Sequence, residues 1–431
     1  MADEKSEKGL KGLIVKDKSK DSDPINFLTY VRERMDTFEE RPLCSVDSLV
    51  FSWLAYAHIG SSLDAACFSE GIALSDLLRA EEFDNMFGTS WDPVGSRELL
   101  FAVCASPRFR TVRLCEFRFK TDMGAEEQFA AMTFRLPTGA SYVAFRGTDS
   151  TIVGWKEDFN MTFLNPVPAQ VEAARYLNEV AQVTDGPLYV GGHSKGGNLA
   201  AYAVAMCKPE HRARVQRVFS HDGPGFHRTF VEREEYQRLL PLMEKTTPRS
   251  SLIGQVLSED PACECVIVES DGFSMLQHNP FLWHVDVDAC DFVRVDGYSA
   301  SSRYFNTTLD AWMDKYPLED RQRFVDALFY VIGVTGAHRF GDIAADFKTS
   351  LPLMLDAADT FDPDLRDFIK DVFKTFAKTA TVERVTDAAS GLLDSIKSTR
   401  PLLLMSEEGE ADGFESAFDV EEQAEDDADI Q

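Results

Sequence analysis

The sequence predicts an α/β protein: a mostly parallel central sheet with antiparallel lead-in strands, helices on both faces, and a C-terminal helical appendage. Short apolar runs alternate with helical patterns over residues 167–269, which implies parallel strands joined by crossover helices. Three strand-like segments separated by turn residues come just before. Beyond Gly336 only helical patterns occur.

The elements follow in order. Residues 47–57 have helical apolar spacing, with Asp47 or Ser45 available as the cap, and a second helical stretch runs near 75–86. Strands are predicted at 111–120, 128–136 and 141–146, with Met123-Gly124 and Pro137-Thr138-Gly139 as turns. Helix 167–183, strand 188–191, helix 197–207, strand 215–219, helix 232–243 and strand 265–269 then alternate, and helices over 308–334 complete the main domain. Amphipathic patterns at 347–355, 364–376 and 382–396 form the appendage, punctuated by Pro352 and Pro363. The expected organisation is a basic tail over 1–24, a main domain over 25–335, the appendage over 336–404 and an acidic tail over 405–431. No internal repeat is present.

Charge and composition limit the function. A length of 431 residues suits one large domain with an appended part, and a hydrophobic content of 44% is ordinary for a globular chain. The net charge of -28 should repel nucleic acid and anionic membranes over most of the surface. The tails are read as solvated, with transient membrane-surface or partner contact through Lys5, Lys8, Lys11, Lys16, Lys18 and Lys20 as the alternative. Residues 1–23 hold no secretory apolar stretch, and no run of about 18 apolar residues occurs. Eight cysteines are scattered without a CxxC pair; Cys263 and Cys265 should share one strand face as reduced thiols rather than as a metal or redox pair. The expected compartment is the cytoplasm.

The chemistry centres on Gly192-His193-Ser194-Lys195-Gly196, between a predicted strand and a predicted helix. A nucleophilic serine at so sharp a turn needs small residues two positions either side, and the helix N-terminus can stabilise an oxyanion. Ser194 is therefore the expected nucleophile of a serine hydrolase with the α/β-hydrolase fold. Its base should follow in the chain, and His278, in a loop-like segment past strand 265–269, is preferred over His284, His211, His221, His227 and His338. Asp222, at the end of strand 215–219, is the preferred acid, with Glu259 or Asp260 as alternatives. The backbone N–H of Lys195 and the N–H and hydroxyl of Thr148 are the expected oxyanion donors, with Gly147 permitting an unusual backbone between strand and loop.

Ala144-Phe-Arg-Gly-Thr-Asp149 followed by Gly154-Trp-Lys-Glu-Asp-Phe159 resembles the class 3 (fungal-type) triacylglycerol lipases. The elbow Gly192-His-Ser-Lys-Gly-Gly-Asn-Leu-Ala200, with Asp222-Gly-Pro-Gly-Phe226 and Gln277-His-Asn-Pro-Phe281, is more closely similar to an uncharacterised bacterial family of lipase-like hydrolases. The resemblance implies Ser194, Asp222 and His278 as a triad, Thr148 and Lys195 as oxyanion donors, and residues 150–155 as a lid. Trp155, His193 and Gly147 are the expected lid or substrate-side residues. It also implies cleavage of an ester or lipid-like substrate, with no metal or organic cofactor. An acyltransferase or thioesterase on the same triad, or an inert scaffold, are the other readings carried forward.

Overall fold

A computed structural model describes residues 25–369, apart from 60–70, 123–126, 150–151, 308–312, 338–342 and scattered positions of one or two residues. The expected tails and residues 370–404 of the expected appendage lie outside the described residues. The main sheet has eight strands: β1 (Ile72–Ala73), β2 (Arg113–Asp122), β3 (Glu127–Arg135), β4 (Ser141–Phe145), β5 (Leu188–His193), β6 (Val215–His221), β7 (Met243–Pro248) and β8 (Cys265–Val268), in that spatial order. β1 to β4 pair antiparallel; β4 to β8 pair parallel. A two-stranded ribbon, β9 (Val285–Asp286) and β10 (Asp291–Phe292), follows. This is the α/β-hydrolase architecture, with the lead-in and parallel parts where the alternation places them.

Sequential strand order has a consequence for the layers. Right-handed crossovers between successive parallel neighbours put their helices on one face of the sheet. The other face must then be covered by chain from elsewhere. Helices α1 (Phe27–Glu33), α2 (Ser45–Leu54) and α3 (Pro93–Ala105) supply most of that cover. After β4 come α4 (Ile152–Asn160), α5 (Pro168–Val183) and α6 (Lys195–Met206), and α5 and α6 pack on the crossover face. Strand alternation sorts the core accordingly: Tyr142 and Ala144 join the α2 side, while Val143 and Phe145 join the α5–α6 side. Because both faces are covered, β4 is buried at every position and reads as a continuous apolar run.

Every residue of α2 is buried, its polar ones included. Asp47 forms an ion pair at 2.5 Å with Arg108, both side chains fully shut off from solvent, and accepts the Tyr30 hydroxyl at 2.9 Å. The helix start differs from expectation. Cys44 is the N-cap, and Asp47 sits three residues on, where it accepts the Cys44 N–H at 2.9 Å; neither Asp47 nor Ser45 is the cap.

Other boundaries are also corrected. The helix expected over 232–243 is instead two single turns, Arg228–Val231 and Glu234–Gln237, before β7, whose run Met-Glu-Lys-Thr-Thr-Pro shows little apolar alternation. The stretch near 75–86 is broken into 3-10 turns and the short helix Phe83–Phe87. α1, α3 and α4 were not foreseen as separate helices. Toward the C-terminus, α7 (Leu318–Gly333) meets α4 through Lys156–Asp326 at 3.1 Å and Phe159 edge-on to Phe329. α8 (Phe347–Ala358) belongs to the same compact unit, and Phe361 just beyond it packs on Tyr330 of α7. No helix among the described residues is long and apolar enough to cross a membrane.

Candidate active site

β5 ends at His193 and α6 begins at Lys195, so Ser194 alone makes the turn. Its backbone takes φ 60° and ψ −135°, in the left-handed half of conformational space, which costs on the order of 1–3 kcal/mol for a residue with a side chain. The glycines allow the turn to close. A Cβ on Gly192 would lie 2.3 Å from the Gly196 carbonyl, and one on Gly196 would lie 2.1 Å from the Phe145 carbonyl oxygen. The small-residue requirement read from the sequence is thus a packing requirement between β4, β5 and α6.

Sheet register carries Asp222 to the same edge. His193 and His221 are paired in the β5–β6 ladder. Ser194 and Asp222 are the next residue on each strand, and their N–H groups continue the ladder to His221 O at 2.9 Å and Thr246 O at 2.7 Å. Asp222 also has positive φ, 50°. Both residues therefore stand just past the C-terminal ends of adjacent parallel strands, where α/β sheets place their sites. The Asp222 carboxylate is fully buried. One oxygen accepts the Ser251 hydroxyl and the Gly254 N–H; the other meets His278 Nδ1 at 2.6 Å.

His278 ends the 3-10 turn Ser274–His278. Gln277 anchors this turn, accepting Ser250 N–H at 2.6 Å and donating to Ser270 O at 2.8 Å, while Trp283 Nε1 donates to its carbonyl at 2.6 Å. With Nδ1–H given to Asp222, Nε2 is left as the basic nitrogen. The ring lies 4.5 Å from that of His193, and His193 Nε2–H donates to the His278 carbonyl at 2.9 Å. That carbonyl can only accept, so His193 Nδ1 must be the acceptor of the Tyr56 hydroxyl at 3.0 Å. Burial, and next the neighbouring His278, hold the His193 pKa well below the usual imidazole value. His193 is a neutral strut beneath His278, with both ring nitrogens occupied by protein groups.

The loop after β4 closes the site from the other side. A Cβ on Gly147 would fall 2.9 Å from Ser194 Cβ and 2.6 Å from the His193 carbonyl, so this backbone lies against Ser194. The Thr148 hydroxyl donates to the Asp158 carboxylate, with oxygens at 2.7 and 2.6 Å. Its backbone N–H and that of Lys195 are the remaining donors in the expected oxyanion set. Burial raises the pKa of Asp158 to about 6, against the lowering effect of Lys195. Lys195 turns its own side chain away into the protein, to Glu157 at 2.8 Å and Gln128 O at 3.1 Å. Trp91 Nε1 donates to Thr148 O at 2.9 Å, and Trp155 of α4 packs edge-to-face on Trp91 at 5.9 Å. Ser150 and Thr151 of the expected lid lie outside the described residues.

The other candidates are placed elsewhere. His284 pairs with Asp271 at 2.9 Å. His227 Nε2 meets Met161 O, and His221 is buried against Ser48 with its pKa lowered to about 3 by burial. His211 is buried, with Nδ1 at 2.7 Å from Asn178 Oδ1. His338 and Glu259 lie outside the described residues, and Asp260 accepts Ala262 N–H. Sequence reasoning missed Ser251, Gly254, Gln277 and Glu157 as supports; only Gln277 and Glu157 stand in segments it quoted. Among the described residues no group of His, Cys, Asp and Glu is arranged to hold a metal ion.

The fold is that of a lipase-like α/β-hydrolase. Residues 103–330 match the Mbeg1-like family, and the chain belongs to that family. Solved structures to which this chain is similar include a lipase–propeptide complex from Rhizomucor miehei, 14% identical, covering 52% of this chain and 78% of that one at a TM-score of 0.30. A triacylglycerol lipase whose catalytic centre is described as a serine-protease triad is 14% identical over 56% and 83%, at a TM-score of 0.31. An MDLA mutant from Penicillium cyclopium is 10% identical over 59% and 87%, at 0.36. No curated protein matches the chain by sequence.

Proposed function

We propose that this chain is a serine hydrolase that cleaves carboxylic esters, of the lipase, lysophospholipase or esterase kind. One observation carries the reading: a serine on a positive-φ strand-to-helix turn shares a sheet edge with a buried aspartate that holds the Nδ1 of His278 at 2.6 Å. His278 Nε2 takes the proton of Ser194 as its oxygen attacks the ester carbonyl carbon. The oxyanion settles against the N–H groups of Lys195 and Thr148, and Asp222 steadies the imidazolium. His278 then protonates the departing alkoxide, leaving an acyl-serine. Water, deprotonated by the same histidine, releases the acid and restores the serine. Among the described residues, Ser194 Oγ has no hydrogen-bond partner; such contacts tighten when substrate fills the site.

All seven described cysteines are free thiols, which supports a reducing compartment, the cytoplasm. Esters of rising chain length, offered to the wild type and to Ser194→Ala, test the activity. The expected result is turnover that falls by about 10⁴-fold or more in the variant. Turnover unchanged by the substitution would reject the proposal. Added alcohols or acyl-thioesters separate hydrolysis from acyl transfer and thioester cleavage on the same residues.

A further inference from the structure

Trp91 and Asp92 form a short strap ahead of α3 that joins the two sides of the candidate site. On one side, Trp91 Nε1–H donates to Thr148 O at 2.9 Å. On the other, Asp92 Oδ2 accepts Asn279 Nδ2–H at 3.4 Å, one residue past His278. The strap is also fixed from behind. Asp92 caps α3 by accepting Gly95 N–H at 2.8 Å. The Ser96 hydroxyl accepts Trp53 Nε1–H at 3.0 Å and donates to Asp92 O at 2.6 Å.

Trp91 is therefore anchored, yet its relative exposure is 48%. The indole N–H is the only donor of the ring and is spent on the loop, so the ring surface left open is apolar. A large flat ring held in one place offers contact area at little entropic cost. Trp155 of α4 stands edge-on to it at 5.9 Å. The reaction itself divides the ester between the two sides. His278 protonates the departing alkoxide, so the alcohol half belongs on the His278 side, where Leu276 of the same turn is exposed. That leaves the Thr148 side, where Trp91 stands, for the acyl half.

We propose that Trp91 is a specificity-determining residue with two separable roles. Its ring is the wall along which the acyl chain of the substrate lies, which makes medium-chain acyl esters better substrates than acetates. Its N–H is a positioning group: it fixes the peptide after Thr148, and with it the direction of the Thr148 N–H toward the oxyanion. Both roles rest on the serine-hydrolase reading.

Steady-state kinetics of the full-length wild type, Trp91→Phe and Trp91→Ala on p-nitrophenyl acetate and hexanoate test both roles, with melting curves to check that each variant folds. Burial of a methylene multiplies kcat/KM by up to about fourfold, so the wild type should favour hexanoate by about tenfold or more. Trp91→Ala should cut the hexanoate-to-acetate ratio by about fivefold or more. Trp91→Phe keeps an apolar ring without the donor. It should retain the wild-type ratio while kcat falls by about tenfold on both esters, with KM little changed. A smaller fall of the ratio in folded Trp91→Ala, or a Trp91→Phe ratio as low as that of Trp91→Ala, would overturn the acyl wall. A kcat for Trp91→Phe within about threefold of the wild type would overturn the positioning role. Wild type that turns over neither ester and takes no fluorophosphonate label at Ser194 would reject the hydrolase reading and this proposal with it; turnover with unaltered ratios rejects the proposal alone.

Discussion

The imidazole of His278 and the carboxylate of Asp222 meet at 2.6 Å across 56 positions of chain. Two separate devices bring them together. Sheet register carries Asp222 to the edge beside Ser194, and the Gln277 side chain locks the turn that presents His278. The buried carboxylate is held on its other oxygen by Ser251 and Gly254, so it reaches the histidine in one orientation. That orientation fixes the tautomer that leaves Nε2 basic.

Asp222→Asn tests this role. The amide keeps the shape but can present its NH₂ to Nδ1, which favours the tautomer with its proton on Nε2. Ester turnover should fall by about 10⁴-fold while thermal stability changes little beside it. A fall of less than about tenfold in steady-state assays would show that His278 works without this partner.

Thr148 is expected to contribute mainly through its backbone. Its hydroxyl is already given to Asp158, at 2.7 and 2.6 Å. Thr148→Val should therefore lower kcat by about tenfold or less. Loss of a full oxyanion donor costs about 10²–10³-fold. A loss in that larger range would show that the hydroxyl leaves Asp158 and turns to the oxyanion during the reaction.

Asp158 should give stability a pH dependence of defined sign. Burial raises its pKa to about 6 from an ordinary 3.8, so the folded state holds its proton more tightly than the unfolded chain does. The stabilisation from that protonated form is full below about pH 3.8 and is lost as pH rises through about 6. Urea unfolding of the wild type and Asp158→Asn between those limits should show the wild type losing stability relative to the variant as pH rises. Parallel curves would show that Asp158 does not titrate there.

The Asp47–Arg108 pair should matter more for folding than for chemistry. Both side chains are fully buried, and removing one leaves the other charge unpaired. Asp47→Ala should lower the unfolding free energy by about 3–5 kcal/mol. A loss under about 1 kcal/mol by chemical denaturation would mean that water or a shifted backbone replaces the carboxylate.

Much of this site could be read in the sequence because its constraints are local. Gly192 and Gly196 mark the elbow, and Gly-Pro-Gly after Asp222 marks the end of β6. What could not be read acts across the chain. Ser251 and Gly254 reach Asp222 from a loop about 30 positions on, with no motif of their own. β7 was missed because Lys245, Thr246 and Thr247 are buried yet polar, and the preceding residues have helical spacing. Asp47 was taken as a cap because caps and third-position acids share composition; only the backbone distinguishes them.

The central claim is that Ser194 is an activated nucleophile, and labelling by a fluorophosphonate tests it without a known substrate. Purified wild type should be labelled covalently at Ser194, with Ser194→Ala unlabelled and His278→Ala slower by about 10³-fold or more. Folded wild type that stays unlabelled with and without detergent, or labelling that persists in Ser194→Ala, would contradict the account.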